Sequence, residues 1–162
     1  MFNQVIVLAA LGIGTATDLH WRRIPNALTG ATALIGLVAA TVGVSQVSPW
    51  AALAGIMAGL CLMLPGHVLG ATGAGDVKLV AALGALVGPG AILRVVLYTA
   101  MAGGLLALGV AFRRGRLTAT IAGTAGLATG SKVARQEIVA ARDNRFPYAP
   151  AITIGTLIAI FA

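Results

Sequence analysis

The chain has 162 residues, of which 59% are hydrophobic and only 9% are charged, and its mean hydropathy is +0.97. An average soluble domain carries about 25% charged residues, so this composition excludes an ordinary soluble domain, a disordered chain and a basic nucleic-acid-binding protein. The net charge of +7 does not alter this conclusion, because the basic residues form short clusters between apolar runs. We therefore expect an integral membrane protein whose surroundings are lipid and which binds no nucleic acid.

The apolar runs predict an all-α fold, a polytopic membrane bundle of about six transmembrane helices. A membrane-spanning helix needs about 20 apolar residues, and the charge-free run 24–75 is long enough for two helices with a turn near Ser45 to Pro49. The fourth predicted helix is shorter than the others. The predicted spans cover residues 3–18, 27–44, 50–69, 76–88, 91–111 and 147–162.

The basic side chains predict the orientation of these spans. Ten of the 11 Lys and Arg residues fall on one side if six spans place both termini on the non-cytoplasmic side, and Arg94 is the exception. Cytoplasmic loops carry an excess of Lys and Arg. We therefore expect a single membrane-embedded domain, residues 1–162, with a cytoplasmic loop at about 112–146. Residues 132–145 of this loop fit an interfacial helix or a plain loop.

Small residues recur at four-residue spacing in the predicted helices. The three pairs are expected to pack helices within the bundle rather than to form a dimer motif, because small residues let helices approach closely in lipid. They are Gly55 and Gly59, Gly66 and Gly70, and Gly84 and Gly88.

The four acidic residues divide into two groups. Glu137 and Asp143 lie in the basic loop, where pairing with Arg accounts for them. Asp18 ends the first span and Asp76 begins the fourth, so the predicted topology places both at the cytoplasmic face. A charged group at membrane depth costs about 2.5–3.5 kcal/mol on insertion scales, which makes these two residues the candidates for function.

Two carboxylates close together in a low dielectric cannot both ionise easily and share a proton. The ionised one can take a proton from water, and the protonated one can polarise a peptide carbonyl, as in aspartic proteases. The alternative is structural. Asp76 would then cap the start of the fourth helix, and Asp18 would be an interfacial anchor beside Arg22 and Arg23.

Residues near Asp76 suggest how the site is built. Gly73 and Gly75 permit backbone conformations closed to other residues and leave room for a substrate strand. We expect residues 70–76 to be a non-helical, polar approach to the site. Tyr148 is predicted to be an interfacial anchor, with a reach into the site as the alternative.

Three segments resemble motifs of the type IV prepilin peptidases. Residues 73–79 (GAGDVKL) look like the GxGD segment of that family. Asp18, followed by residues 23–26 (RIPN), resembles the first catalytic aspartate and its tail. Residues 146–150 (FPYAP) resemble the segment that opens the last span. The segments come in the family's order, and the resemblance covers nearly the whole chain.

This resemblance implies an intramembrane aspartyl endopeptidase. Such an enzyme removes the basic leader from prepilins and pseudopilins, which are single-helix membrane proteins, at the cytoplasmic face of the bacterial inner membrane. By resemblance, Asp18 and Asp76 are the catalytic pair, and Gly73 and Gly75 are the motif glycines with a conformational role. Support of the site is expected from Arg23, Pro25, Asn26 and Lys78.

The resemblance also sets expectations about what is absent. Larger members carry paired CxxC motifs and methylate the new pilin N-terminus, whereas Cys61 is the sole cysteine here and two residues precede the first span. We therefore expect no methyltransferase activity, and no zinc or other cofactor. His20 and His67 are not expected to bind a metal, because further ligands are lacking.

The short form resembles the peptidases of tight-adherence (Flp-type) pilus systems, and archaeal preflagellin peptidases are the nearest alternative. From the residues alone, a small proton-coupled transporter or an assembly subunit without chemistry are further alternatives. A transporter would more often place its acids at the bilayer midplane in repeated halves.

Overall fold

The computed structural model describes residues 1–69, 72–113 and 148–161. These residues form five helices and contain no β-strand. In chain order the helices are α1 (Phe2–Trp21), α2 (Asn26–Thr41), α3 (Pro49–Val68), α4 (Ala74–Arg113) and α5 (Ala149–Phe161). The all-helical class predicted from composition is confirmed for this part of the chain, whereas most of the predicted loop 112–146 lies outside the described residues.

Three of these helices are long and apolar enough to cross a membrane: α1, α3 and the stretch Ala74–Val110 of α4. The apolar helices α2 and α5 are shorter, with 16 and 13 residues. Burial separates α4 from the others, because 61% of its apolar window is buried, against 28% in α1 and 22% in α3. α4 is therefore the central helix, and the outer helices present large apolar side chains to their surroundings, as a lipid environment allows.

Helix α4 consists of two segments that meet at Gly88. Gly88 has φ 78° and ψ 173°, a conformation that an L side chain rarely adopts, and Pro89 follows it. The chain reverses at this point, because Leu86 lies beside Asn3 at the start of α1, whereas Gly103 lies beside Tyr148 at the start of α5. The predicted spans 76–88 and 91–111 thus correspond to the segments 74–87 and 89–113.

The reversal is held by the side chain of Asn3. Its Nδ2 donates hydrogen bonds to the Leu86 carbonyl and to Ser45 Oγ, both at 2.8 Å. Carbonyls at the end of a helical segment lack amide partners within the helix. The Asn3 amide therefore stabilises the end of the first α4 segment and ties it to α1 and to the turn between α2 and α3.

Glycines let α3 approach α4 until their backbones touch. A Cβ on Gly55 would overlap the Gly84 carbonyl, and a Cβ on Gly59 would lie 2.9 Å from Ala81 Cα. The predicted packing role is confirmed for Gly55, Gly59 and Gly84. Gly88 serves the reversal instead, and Gly70 lies outside the described residues.

Adding a methyl group at this contact should destabilise the bundle. We expect Gly84→Ala to lower the free energy of unfolding by about 1–3 kcal/mol, the usual cost of overpacking, measured by denaturant unfolding in detergent. Gly30→Ala is the control, because nothing lies within 4 Å of a Cβ at Gly30. A loss in the control as large as in Gly84→Ala would contradict the packing role.

Candidate active site

Asp18 lies in the last turn of α1 and is buried, with 7% of its surface exposed. Its Oδ2 accepts a hydrogen bond from the backbone N–H of Ala149 at 3.0 Å. Ala149 is the first residue of α5, where amides lack partners within the helix and the helix dipole favours a negative charge. The carboxylate of Asp18 therefore caps α5. The structural alternative, in which Asp18 is an interfacial anchor, did not include this capping role.

The chain turns sharply after α1 at Arg22. Arg22 adopts a left-handed conformation (φ 52°, ψ 34°), and its N–H donates to the Asp18 carbonyl at 2.8 Å. Gly or Asn usually occupies such a helix end. The turn leads into Pro25, which is extended (φ −62°, ψ 134°) and starts α2. It also places Ile24 against the start of α4.

Asp76 lies in the first turn of α4 and is also buried, with 7% exposed. Its Oδ2 accepts a hydrogen bond from the N–H of Gly73 at 2.8 Å. An acidic residue that reaches back from the third helical position to the residue before the helix is one half of a capping box. The capping interaction named as the structural alternative is thus present, and the same carboxylate also faces a cavity.

The two motif glycines act through the space they leave. Neither Gly73 nor Gly75 has a positive φ, so the expected need for unusual backbone conformations is wrong. A Cβ on Gly75 would lie 3.1 Å from Ile24 Cβ, and a Cβ on Gly73 would lie 2.9 Å from Asp76 Oδ2. The room is taken by Ile24 and by the carboxylate itself. The predicted non-helical segment 70–76 is also too long, since α4 begins at Ala74.

Asp18 and Asp76, remote in the sequence, line one cavity of about 330 Å³. Three basic side chains line it as well, and the remaining walls come from the turn after α1 and the start of α4. The lining residues are Asp18, Arg22, Arg23, Ile24, Asn26, Gly73, Ala74, Gly75, Asp76 and Lys78. Of the eight site residues predicted from the sequence, only Pro25 lies outside this set.

A hydrogen bond between two residues that line this cavity links α4 to the start of α2. Lys78 Nζ, in α4, donates to Asn26 Oδ1, at the start of α2, at 2.9 Å. Together with the packing of Ile24 on Gly75, this bond holds the turn that follows Asp18 against the helix that carries Asp76. Lys78 and Asn26 therefore connect the two segments.

The start of α5 is the part of the site that sequence analysis underestimated. The backbone N–H of Ala149 donates a hydrogen bond to Asp18, and a backbone donor cannot be recognised from a pattern of side chains. Tyr148 is half-buried, and its ring packs against Gly103 in the second segment of α4. Tyr148 belongs to the segment 146–150, whose resemblance to a family motif drew attention to it. Residues 146 and 147 of that segment lie outside the described part of the chain.

The arrangement can perform acid–base chemistry. Two carboxylates that lie close together in a low dielectric favour one shared proton over two negative charges. One carboxylate is then able to accept a proton while the other donates one.

These features define a class, an apolar helical protein with two buried carboxylates in one cavity at the end of its bundle. Residues 5–108 match the type IV leader peptidase family, and the chain belongs to that family. It is 28% identical over 162 residues to the prepilin leader peptidase/N-methyltransferase of Bacillus subtilis (strain 168), covering 98% of this chain. The chain spans about half of that relative, 55% of its length. No solved structure matches the chain.

Breaking the link between Lys78 and Asn26 should loosen the site. Hydrogen bonds contribute about 0.5–1.5 kcal/mol, and exposed ones fall at the low end. In Lys78→Met we therefore expect about two- to five-fold faster amide hydrogen exchange in residues 24–30, measured by mass spectrometry. Lys78→Arg keeps a donor and should exchange like the unmodified protein. Unchanged exchange in Lys78→Met would contradict a connecting role.

Proposed function

We propose that this protein is an intramembrane aspartyl endopeptidase that removes the basic leader peptide from prepilins or pseudopilins at the cytoplasmic face of the membrane. One observation carries the proposal: in a member of the leader peptidase family, Asp18 and Asp76 are buried and line one cavity. The name of the Bacillus subtilis relative supports a prepilin as the substrate.

The proposed reaction needs only the two carboxylates and a water molecule. The ionised carboxylate takes a proton from the water molecule while the water oxygen attacks the scissile carbonyl carbon. The protonated carboxylate donates its proton to the carbonyl oxygen. The tetrahedral intermediate collapses when the C–N bond breaks and the leaving nitrogen receives a proton. A new carboxyl group and a new amine result, and the pair returns to one shared proton.

The proposed orientation follows from the charges around the cavity. Arg22, Arg23 and Lys78 line it, and cytoplasmic segments are rich in basic residues. We propose six membrane crossings in the bacterial inner membrane, with the cavity at the cytoplasmic face and both ends of the chain on the other side. In this arrangement residues 1–162 form one membrane-embedded domain, and residues 112–146 contain its cytoplasmic loop.

The substrate of a leader peptidase fits this position. A prepilin is a single helix with a basic leader, cut where the leader meets the membrane, and the cavity lies where α1 ends and α4 begins. Acids at one end of the bundle suit this cut better than the midplane sites of transporters. We assign no methyl transfer to these 162 residues, because the relative whose name includes that activity is matched over only 55% of its length.

Removing either carboxylate should abolish cleavage. We expect Asp18→Asn and Asp76→Asn each to reduce leader removal by at least about 1,000-fold, because neither amide can take a proton from water. The assay co-expresses a prepilin with a basic leader ending in Gly and follows the leader's loss by gel shift.

The other two acids provide matched controls. Glu137→Gln and Asp143→Asn make the same chemical change in the basic segment, and both should cleave like the unmodified protein. Abundance in the membrane must be equal for all variants. Normal cleavage by Asp18→Asn or by Asp76→Asn would remove that residue from the catalytic pair.

The orientation has its own test. With six crossings, alkaline phosphatase fused after Ala162 should be exported and active, whereas a fusion within residues 114–147 should be inactive because it stays in the cytoplasm. A cytoplasmic, inactive enzyme at the C-terminal fusion would contradict this topology.

A further inference from the structure

His67 lies in the last turn of α3, outside the set of residues that the sequence assigned to the site. Its side chain is half-buried, and its Nδ1 lies 3.1 Å from the carbonyl oxygen of Thr72. A carbonyl oxygen only accepts hydrogen bonds, so Nδ1 carries a proton and donates this one. The side chain of His67 therefore binds the backbone immediately before Gly73.

The carbonyl that His67 binds belongs to the same peptide group as the N–H of Gly73. That N–H donates to Asp76 Oδ2 at 2.8 Å. One peptide group thus accepts a hydrogen bond from His67 on one side and donates a hydrogen bond to Asp76 on the other. Hydrogen bonds in such a chain polarise and strengthen one another. The chain leads from a side chain outside the cavity lining to a carboxylate that lines the cavity.

Thr72 makes a second hydrogen bond, which does not set the orientation of this peptide group. Its N–H donates to the Gly66 carbonyl at 3.3 Å, but that N–H belongs to the preceding peptide group. The group between residues 72 and 73 can turn about its two flanking bonds, and a glycine at 73 permits many backbone conformations. A turned group would point its carbonyl oxygen, instead of its N–H, at the carboxylate of Asp76. The hydrogen bond from His67 opposes this turn.

We propose that His67 is a positioning residue of the active site: it holds the Thr72 carbonyl so that the N–H of the same peptide group stays directed at Asp76. The inference rests on the proposed peptidase function. His67 does not belong to the cavity lining, so its effect on the reaction passes through the peptide group and not through contact with the substrate. The first glycine of the GxGD segment thus supplies an N–H whose direction is set from α3.

Loss of the donor at residue 67 should lower the turnover rate and leave KM unchanged. A turned peptide group no longer orients Asp76, whereas the Cα atoms that shape the cavity stay in place. Small misplacements of catalytic groups cost up to about 100-fold in rate, and we expect about ten-fold lower kcat in this case. Two variants without a donor, His67→Phe and His67→Leu, make the same test, so a folding failure in one leaves the other to decide.

His67→Asn separates hydrogen bonding from packing. The amide nitrogen of Asn lies as many bonds from Cα as the Nδ1 of His, so this variant keeps the donor and loses the ring. Its kcat should stay within about three-fold of that of the unmodified protein. A role that depended on the shape of the ring would give the opposite order, with His67→Phe faster than His67→Asn.

The other histidine provides a matched control. His20 is exposed in the last turn of α1 and lies outside the cavity lining. His20→Phe makes the same chemical change as His67→Phe, and its kcat should stay within about two-fold of that of the unmodified protein. All variants are compared as purified protein in detergent, with a prepilin whose basic leader ends in Gly.

Amide hydrogen exchange tests the hydrogen-bonded chain without a substrate. The variants His67→Phe and His67→Leu should exchange about five-fold faster over residues 72–77, measured by mass spectrometry, because a locally loosened backbone exchanges sooner. His67→Asn should exchange like the unmodified protein. Unchanged exchange in both variants without a donor would contradict the chain, whether or not the protein cleaves prepilins.

The outcomes separate this inference from the proposed function. No cleavage by the unmodified protein, or full cleavage by Asp18→Asn and Asp76→Asn, would overturn the peptidase function itself. With that function intact, full kcat in His67→Phe and His67→Leu would overturn the positioning role, and so would a kcat in His67→Asn as low as theirs. A rise in KM with unchanged kcat would overturn it as well, since that result indicates substrate contact.

Discussion

The structure depends on how two carboxylates are accommodated inside an apolar bundle. A buried charge is costly unless hydrogen bonds replace its water, and the starts of two helices supply them. Asp18 accepts from Ala149 at the beginning of α5, and Asp76 accepts from Gly73 just before α4. Each carboxylate also accepts a hydrogen bond from an N–H group at a helix start, where no partner within that helix is available. The same bonds therefore stabilise the fold and orient the acids.

Helix α4 brings the required elements together because it runs through the bundle twice. The positive φ of Gly88 allows the reversal, so its first segment carries Asp76 and its second returns to the same end with Gly103. Asn3 secures the reversal at the opposite end through the Leu86 carbonyl. Close glycine contacts hold α3 and α5 against α4, since lipid offers little apolar driving force between helices. The geometry of the cavity thus depends on packing far from it.

Much of this protein could be read from local patterns. Apolar runs long enough to span a bilayer predict the helices, because a helix makes all its backbone hydrogen bonds within itself. The predicted boundaries lie within a few residues of those in the structure. Asp18 and Asp76 stand out because acids are rare in such a composition, and the GxGD pattern marks the second. Their meeting in one cavity follows the predicted arrangement. Their catalytic role stays a prediction.

The helical class, the apolar composition and the choice of Asp18 and Asp76 as candidates follow from the amino-acid sequence, because they depend on hydropathy and residue type alone. The contacts that hold the two carboxylates become visible in the folded protein. The N–H of Ala149 is a backbone group without a sequence signature, and the left-handed turn falls on Arg22, a residue type that does not predict it. Gly103 and Gly104 are adjacent glycines that the sequence does not distinguish, yet only Gly103 lies against Tyr148. Such distinctions arise from the rotation of one helix against another, which long-range packing sets and local sequence does not encode.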